Sequence, residues 1–207
     1  MMATLRCDHP DIEAFVEAKS DPSRLRMFNL SVLVTEKFME AVSGEKNWDL
    51  KFEGKVYKTV SAANLWNKIM KSTYDFAEPG VIFIDRINQQ NNLAYCEEIS
   101  ATNPCGEQPL PPYGACLLGS VNLAKLVKEP FAHSASIELN TLKELTSVAV
   151  RMLDNVIDIS KFPIDQQRNE AISKRRIGLG ITGLADALIM CGVKYGSKEA
   201  VNLTKIW

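Results

Sequence analysis

The sequence has few of the side chains that build common metal and disulfide frameworks. It has only two histidines, His9 and His133, and its five cysteines are irregularly spaced, with no C-x-x-C pair. Zinc sites need paired ligands at short spacings, and secreted disulfide scaffolds usually have an even number of cysteines. We therefore expect no metal site, and we expect reduced thiols, as is typical of a cytoplasmic protein.

Two further absences restrict the classes of partner. The 24 Lys and Arg residues are balanced by 25 Asp and Glu residues, so no basic excess is available to neutralise nucleic-acid phosphates. No run of about 18 apolar residues occurs, and the first residues lack the apolar stretch of a secretory signal. We expect no direct nucleic-acid binding and no membrane insertion, so a nucleotide would be bound as a small molecule.

The first half of the chain alternates between helical and strand patterns. Apolar spacing predicts helices over 9–19, over 35–42 with Gly44 as the stop, and over 61–78, where Leu65, Ile69 and Tyr74 or Phe76 should face inward. Residues 26–34 and 81–85 are rich in β-branched residues and predict buried strands. Strands alternating with helices indicate an α/β domain with mainly parallel pairing.

The second half continues this alternation. Residues 115–127 predict a strand or a strand–helix junction, and 175–192 predict a short extended piece, a glycine turn and a helix. The clearest helix is predicted over 140–160, with Thr141 and Glu144 as a capping box. Its inward positions are predicted to be Leu142, Leu145, Ala149, Met152, Leu153 and Val156.

Three glycines imitate a dinucleotide-binding fingerprint. Gly178, Gly180 and Gly183 match G-x-G-x-x-G, but a charged helical segment precedes them in place of a clear strand. Glu199 lies at a tolerable distance downstream, yet it is a single acid in a charged tail. We interpret the glycines as a tight turn with close helix packing, and not as a nucleotide site.

The segment 101–123, ATNPCGEQPLPPYGACLLGSVNL, carries the most unusual grouping of side chains. Pro104 restricts Asn103 to extended conformations, and Gly106 permits an unusual dihedral angle. If the segment is extended, Asn103, Cys105 and Glu107 project to one side, because side chains alternate along a strand. An amide, a thiol and a carboxylate would then converge on one small polar ligand.

A second thiol follows closely in the same stretch. Several prolines and Gly114 separate Cys105 from Cys116, and their turn signals make a fold-back towards the same pocket plausible. Taken singly, a cysteine is most often a small buried hydrophobe, and Cys7, Cys96 and Cys191 are interpreted in that way. The grouping in 103–116 is what suggests chemistry.

These motifs resemble the catalytic core of the ribonucleotide reductases, especially the adenosylcobalamin-dependent class. The resemblance is carried by YCEEISATNPCGEQPLPPYGACLLGSVNLAKLV, together with HPDIEAFVEAK, FNLSVLVTEKFMEAV, EPGVIFIDRIN and RRIGLGITGLADAL in the same order, and it covers essentially all 207 residues. It implies a partial ten-stranded α/β barrel with the radical cysteine on an internal loop. Residues 1–207 would form one partial barrel domain, truncated at both ends.

The resemblance also implies a role for each motif residue. Cys105 would be the thiyl radical that removes the 3′ hydrogen of a ribonucleotide, Glu107 the general base on the 3′ hydroxyl, and Asn103 a hydrogen-bond partner of that hydroxyl. Cys116 would be one member of the cysteine pair that reduces the sugar and becomes a disulfide. Its partner would lie outside this chain, so the isolated 207 residues are expected not to turn over.

The implied cofactor is adenosylcobalamin, at a site that the sequence does not locate. The alternative is a class I large subunit, whose radical comes from a separate di-iron subunit. Expected partners are a ribonucleotide diphosphate or triphosphate, nucleotide effectors and a thioredoxin-type reductant, and a homodimeric parent enzyme is compatible with the family. Alternatives outside catalysis are a thiol redox module and a non-catalytic remnant.

Overall fold

The structure is a computed structural model that describes residues 1–207. The chain forms two compact units, Met1–Pro112 and Tyr113–Trp207. Each unit contains helices together with at least one pair of parallel strands, so the predicted mixed α/β class with parallel pairing is confirmed. The two units are described separately below.

The first unit is built around a three-stranded parallel sheet in the order β1-β2-β5, beside an antiparallel β3–β4 hairpin and a short β6–β7 hairpin. Its elements, in chain order, are β1 (Met2–Arg6), α1 (Ile12–Val16), β2 (Asn29–Val34), α2 (Glu36–Ser43), β3 (Asn47–Phe52), β4 (Lys55–Ser61), α3 (Ala62–Phe76), β5 (Gly80–Phe83), α4 (Ile84–Gln89), β6 (Ala101–Thr102) and β7 (Pro109–Leu110).

The core of the first unit lies between β2 and three helices. Val32 and Val34 alternate along β2 and pack with buried residues of α1, α2 and α3, among them Phe38 and Ile69. Every residue of β2 after Asn29 is buried, as expected for a central parallel strand that is covered on both faces. The predicted helices and both predicted strands of this half are therefore confirmed, including the end of α2 at Gly44.

One inward assignment in α3 is wrong. Tyr74 is 91% exposed and Phe76 is 45% exposed, whereas Leu65 and Ile69 are buried as predicted. The inward position of the last turn is occupied by Ser72, whose hydroxyl donates to the carbonyl oxygen of Val16 at 2.9 Å. A satisfied hydroxyl replaces an apolar side chain there, which apolar spacing alone does not predict.

The second unit contains a two-stranded parallel sheet, β8–β11, and a short antiparallel pair, β9–β10. Its elements, in chain order, are β8 (Leu117–Asn122), a 3₁₀ helix (Leu123–Leu126), β9 (Val127–Lys128), β10 (Ser136–Ile137), α5 (Leu139–Ile159), α6 (Asp165–Lys174), β11 (Ile177–Thr182), α7 (Leu184–Met190) and α8 (Lys198–Ile206). The predicted strand–helix junction at 115–127 and the strand–turn–helix at 175–192 are confirmed.

Helix α5 packs on the sheet through Leu153, which lies against Gly119 of β8. The predicted capping box is wrong, because the helix begins at Leu139, before Thr141, and its N-cap Glu138 makes no side-chain capping bond. The backbone N–H of Glu138 donates to the carbonyl oxygen of Leu126, so the chain turns into the helix directly from β10.

Helix α5 also exposes apolar side chains that the periodicity placed in the core. Leu145 is 42% exposed and Met152 is 57% exposed. Together with Val148 and Ile159, both also exposed, they follow a spacing of three, four and seven residues along one side of the helix. We call these four residues the outer stripe of α5.

Neither of the two parallel sheets closes into a barrel, because β1-β2-β5 has three strands and β8–β11 has two. The ten-stranded barrel therefore stays an expectation. None of the helices combines the length and the hydropathy needed to cross a lipid bilayer.

The burial difference within α3 gives a first prediction. Replacing buried Ile69 by Ala should lower the free energy of unfolding by about 2–5 kcal/mol, because it leaves a cavity between α3 and β2. The matched change Tyr74→Ala, on the exposed side of the same helix, should cost less than about 0.5 kcal/mol. Urea unfolding followed by tryptophan fluorescence would measure both. Equal costs would show that the α3 face is wrongly assigned.

Candidate active site

The loop between β6 and β7 carries three of the four predicted site residues. Residues 103–108 close a hairpin whose ends are held by Asn103: its backbone N–H donates to the carbonyl oxygen of Gln108 at 3.2 Å. Its side-chain Oδ1 accepts a hydrogen bond from the backbone N–H of Gln108 at 2.9 Å. Asn103 therefore closes the loop from both its backbone and its side chain.

The loop is a turn and not the extended segment that the alternation argument assumed. The backbone N–H of Gly106 donates to the carbonyl oxygen of Asn103 at 3.0 Å, and Gly106 has a φ of +83°. Such a φ is readily adopted only by glycine, so the expectation of an unusual dihedral angle there is confirmed. Asn103, Cys105 and Glu107 are neighbours because they lie in one six-residue loop. They are not neighbours on one face of an extended strand.

The exposed groups of the loop define what it can do chemically. Cys105 and Glu107 are exposed, and Asn103 is half-buried, so the internal position that the resemblance implied for the radical cysteine is not found in this structure. Because Oδ1 of Asn103 already accepts a bond, its Nδ2 group is the part of the amide that remains to donate to a ligand. The loop thus carries an amide donor, a thiol and a carboxylate acceptor within six residues.

Cys116 belongs to the second unit and directly precedes β8. The thiol is half-buried and lines a cavity of about 50 Å³ with Ile157, Phe162 and Arg176. Burial raises the pKa of the Cys116 thiol above its ordinary value, and the nearby positive charge of Arg176 opposes that rise. Cys116 is therefore a protonated thiol at neutral pH.

Arg176 is itself fixed in place. Its guanidinium pairs with Glu170 at 3.0 Å, and both side chains are less than 20% exposed. The carbonyl oxygen of Arg176 accepts the backbone N–H of Leu117 at 3.2 Å, where β8 and β11 begin to pair. The positive charge of Arg176, which opposes the rise in the pKa of Cys116, is thus held in place by the pairing of β8 with β11 and by Glu170 of α6.

The other cysteines differ in exposure, and none of the five forms a disulfide. Cys7 is buried, and burial raises the pKa of its thiol to about 11. Cys191 is half-buried, and burial likewise raises its pKa. Cys96 is exposed. Nowhere in the structure do three histidine, cysteine or carboxylate side chains cluster as a metal site requires.

The glycine fingerprint does not form a phosphate-binding loop. Gly178 and Gly180 lie within β11, paired with Leu118 and Ser120 of β8. Only Gly183 stands in the turn before the helix, with a φ of +68°. A Cβ at Gly178 would come within 2.6 Å of the end of the exposed Leu118 side chain, which would have to move to accommodate it.

Sequence reasoning missed two residues that support the site. Asn29 donates from Nδ2 to the carbonyl oxygen of Pro104 at 3.3 Å, although the two are 75 residues apart. Arg176 lies beside Cys116, sixty positions away in sequence. No local pattern could identify either contact, since each depends on how distant strands pair.

The structure thus combines a mixed α/β fold with a hairpin loop that carries Asn103, Cys105 and Glu107. The sequence model described as "Ribonucleotide reductase, barrel domain" matches residues 1–206. The chain belongs to this family, as the motifs predicted.

Curated relatives agree with this assignment. A vitamin B12-dependent ribonucleoside-diphosphate reductase from Mycobacterium tuberculosis strain CDC 1551 is 43% identical over 207 residues, which cover 98% of this chain and 29% of that protein. One of the same name from Thermoplasma acidophilum is 39% identical over 205 residues, covering 98% of this chain and 26% of that protein. A ribonucleoside-diphosphate reductase subunit alpha from Chlamydia muridarum is 34% identical over 154 residues, covering 72% and 14%. The chain thus spans less than a third of the length of these relatives.

The environment of Cys116 predicts how its reactivity depends on pH. Alkylation by iodoacetamide should have its pH midpoint above that of an unperturbed thiol, and Arg176→Gln should raise the midpoint further by removing a stabilising positive charge. Mass spectrometry of the peptide containing Cys116 would measure this. Arg168→Gln, at an exposed arginine of α6, is the control and should leave the midpoint unchanged. A midpoint that falls in Arg176→Gln would contradict the assignment.

The closure of the loop by Asn103 gives a separate prediction. Asn103→Ala should speed amide hydrogen exchange at Gln108 about fivefold, the equivalent of a net hydrogen bond of about 1 kcal/mol, because Oδ1 is lost. Asn103→Asp keeps an oxygen acceptor and should exchange close to the native rate. Exchange rates measured by NMR would separate the two variants, and equal rates in all three proteins would exclude the capping role.

Proposed function

We propose that this chain is part of the catalytic subunit of a ribonucleotide reductase that converts ribonucleotides to 2′-deoxyribonucleotides by thiyl-radical chemistry. The observation that supports this most strongly is the closed 103–108 loop, which holds Asn103, Cys105 and Glu107 together in a chain of this family. The relatives are named as diphosphate reductases, so we propose a ribonucleoside diphosphate as the substrate.

The hydrogen-bonding capacities of the loop suggest how the ribose is held. The 3′ hydroxyl oxygen accepts from Nδ2 of Asn103, and its proton is directed to the Glu107 carboxylate, which acts as the general base. These roles are complementary, because a hydroxyl is both a donor and an acceptor. Positioned proton transfer of this kind typically contributes about 10²–10⁴-fold to the rate.

Cys105 carries the radical step in this proposal. Its thiyl radical takes the hydrogen atom from C3′, so an S–H bond forms as the C3′–H bond breaks and the unpaired electron moves to the sugar. The 3′ proton passes to Glu107, and the 2′ hydroxyl leaves as water with a proton from the Cys116 thiol. After reduction of the sugar, Cys105 returns its hydrogen atom to C3′ and Glu107 returns the 3′ proton, so the thiyl radical is restored. The radical source must reach this thiol, which is exposed in this chain, and the rest of the proposed barrel would then have to shield it from water.

Reduction of the sugar consumes two thiols. The C2′–OH bond is replaced by C2′–H, one water is released, and Cys116 and a partner cysteine become a disulfide. The partner would lie in the part of the longer relatives that this chain does not match. The raised pKa of Cys116 supports this role, since the thiol keeps the proton that it must deliver. A thioredoxin-type reductant would restore the pair.

The radical source that we propose is adenosylcobalamin, because relatives at 39% and 43% identity are named vitamin B12-dependent. When bound, this cofactor would supply the one-electron oxidation of a thiol. This chain offers it an accessible target, the exposed Cys105, and we assign no corrin-binding residue. A separate di-iron subunit is the alternative, with which the relatives named subunit alpha are compatible.

We further propose that residues 1–207 form part of one ten-stranded barrel domain. Open parallel sheets support this, because isolated two- and three-stranded parallel sheets leave edges that natural proteins cover or pair. The outer stripe of α5 supports it too, as an apolar surface that further structure would bury. Nucleotide effectors, a homodimeric assembly and a cytoplasmic location are proposed with the rest of the enzyme.

Variants of the complete reductase polypeptide containing this segment test the function. Cys105→Ser should abolish the formation of deoxyribonucleotide, because an alcohol does not form the required radical. Glu107→Gln should lower kcat about 10²–10⁴-fold. Asn103→Asp should also lower kcat, although it preserves the loop, because the donor to the 3′ hydroxyl is lost. Chromatographic assay of deoxynucleotide product would measure all three.

Cys191→Ala, at a half-buried cysteine without a proposed role, serves as the control and should retain activity. Retained turnover in Cys105→Ser would exclude the thiyl role. The alternative of a thiol redox module would be favoured instead if Cys96 or Cys191 in the 207-residue chain were alkylated far faster than Cys105.

A further inference from the structure

The loop that carries Cys105 receives one hydrogen bond from the central strand of its unit, beside those made within its own hairpin. Within residues 103–108, the bonds made by Asn103 and Gly106 stay inside the hairpin. The exception is the bond in which Nδ2 of Asn29 donates to the carbonyl oxygen of Pro104, at 3.3 Å. This contact joins the loop to the start of β2.

Asn29 is a fixed point of the central sheet. It is the first residue of β2, its backbone N–H donates to the carbonyl oxygen of Met1 at 2.8 Å, and it pairs with Met2 of β1. The next residue, Leu30, is buried. The hairpin also lies against the same sheet, because β6 packs beside β1. The hydrogen bond from Asn29 therefore connects the loop to the central strand of the sheet.

The position of the bond matters because of peptide geometry. The carbonyl of Pro104 and the backbone nitrogen of Cys105 belong to one planar peptide group. A hydrogen bond to the oxygen of Pro104 therefore restrains the plane from which the Cα of Cys105 extends. Asn103 sets the shape of the loop, whereas Asn29 sets its placement on the sheet.

We propose that Asn29 is a positioning residue for the Cys105 thiol; this rests on the proposed radical function of Cys105. Removing the bond leaves the thiol chemically intact but allows the loop to move as a body. Catalytic geometry is sensitive to such movement, and a displacement of about 1 Å can cost about 10²-fold in rate. The expected effect is therefore on kcat, with little change in KM.

The first experiment tests whether Asn29 restrains the 103–108 loop, and it does not require enzymatic activity. In the 207-residue chain, a glutamate-specific protease cuts the loop after Glu107, and Asn29→Asp and Asn29→Ala should raise that rate about fivefold. Asn29→Gln keeps the amide donor and should be intermediate. Cleavage after the exposed Glu53, in the β3–β4 turn, is the internal control and should not change.

The matched control variant is Asn47→Asp. Asn47 is also an exposed asparagine at the first residue of a strand, β3, and it lies outside the 103–108 loop. It should leave cleavage after Glu107 at the native rate. If Asn29→Asp raised cleavage after both Glu107 and Glu53, the variant would have loosened the whole unit, and Asn29→Gln would then decide. Cleavage after Glu107 as fast in Asn29→Gln as in Asn29→Asp would overturn the restraint of the loop by Asn29.

The second experiment measures turnover in the complete reductase polypeptide. Asn29→Asp and Asn29→Ala should lower kcat about 10- to 100-fold with KM within about twofold, and Asn29→Gln should recover part of the loss. Faster cleavage with unchanged kcat would overturn the positioning role, as would unchanged cleavage with unchanged kcat. Activity in Cys105→Ser would instead show that the proposed function is wrong, whatever Asn29 does to the loop.

Discussion

The candidate site depends on one hydrogen bond, from the backbone N–H of Gln108 to the side-chain oxygen of Asn103. That bond closes the loop and fixes which end of the Asn103 amide can meet a ligand. The Asn103 side chain therefore both closes the loop and determines which amide group is left to bind a ligand. A hydroxyl placed between this amide and Glu107 finds a donor on one side and an acceptor on the other. Asparagine meets both requirements at once, because its amide has an acceptor and a donor.

The two proposed reactive thiols have opposite surroundings. Cys105 is exposed on a loop, whereas Cys116 is half-buried beside a guanidinium that is paired with Glu170. A thiol that must be oxidised by an external agent gains from access. A thiol that must hold its proton until the sugar demands it gains from burial, which disfavours the thiolate. The contrast between their environments matches the contrast between their proposed tasks.

Much of the fold could be predicted from local patterns, because burial imposes periodicity on the residues of the first unit. The buried strand predicted over 26–34 and the end of α2 at Gly44 are examples that the structure confirms. Errors arise where tertiary contacts override the pattern. Ser72 replaces an apolar residue in α3, and apolar positions of α5 such as Met152 face outward. The site residues could be identified from their types, but their closure as a turn, and the contact from Asn29, depend on distances that a linear pattern does not contain.

Gly183 lies in the turn after β11 and contacts the turn after β8, the other strand of the parallel sheet in the second unit. Its φ of +68° already favours glycine, and a Cβ there would lie 2.6 Å from Oδ1 of Asn122 and 3.2 Å from the Cβ of Ala124. That Asn122 oxygen accepts the backbone N–H of Ala124 and so begins the 3₁₀ helix after β8. The turn after β11 thus rests directly on the turn after β8. Lengthening either turn would remove the support of the other. We therefore expect insertions to be rare in each of the two turns.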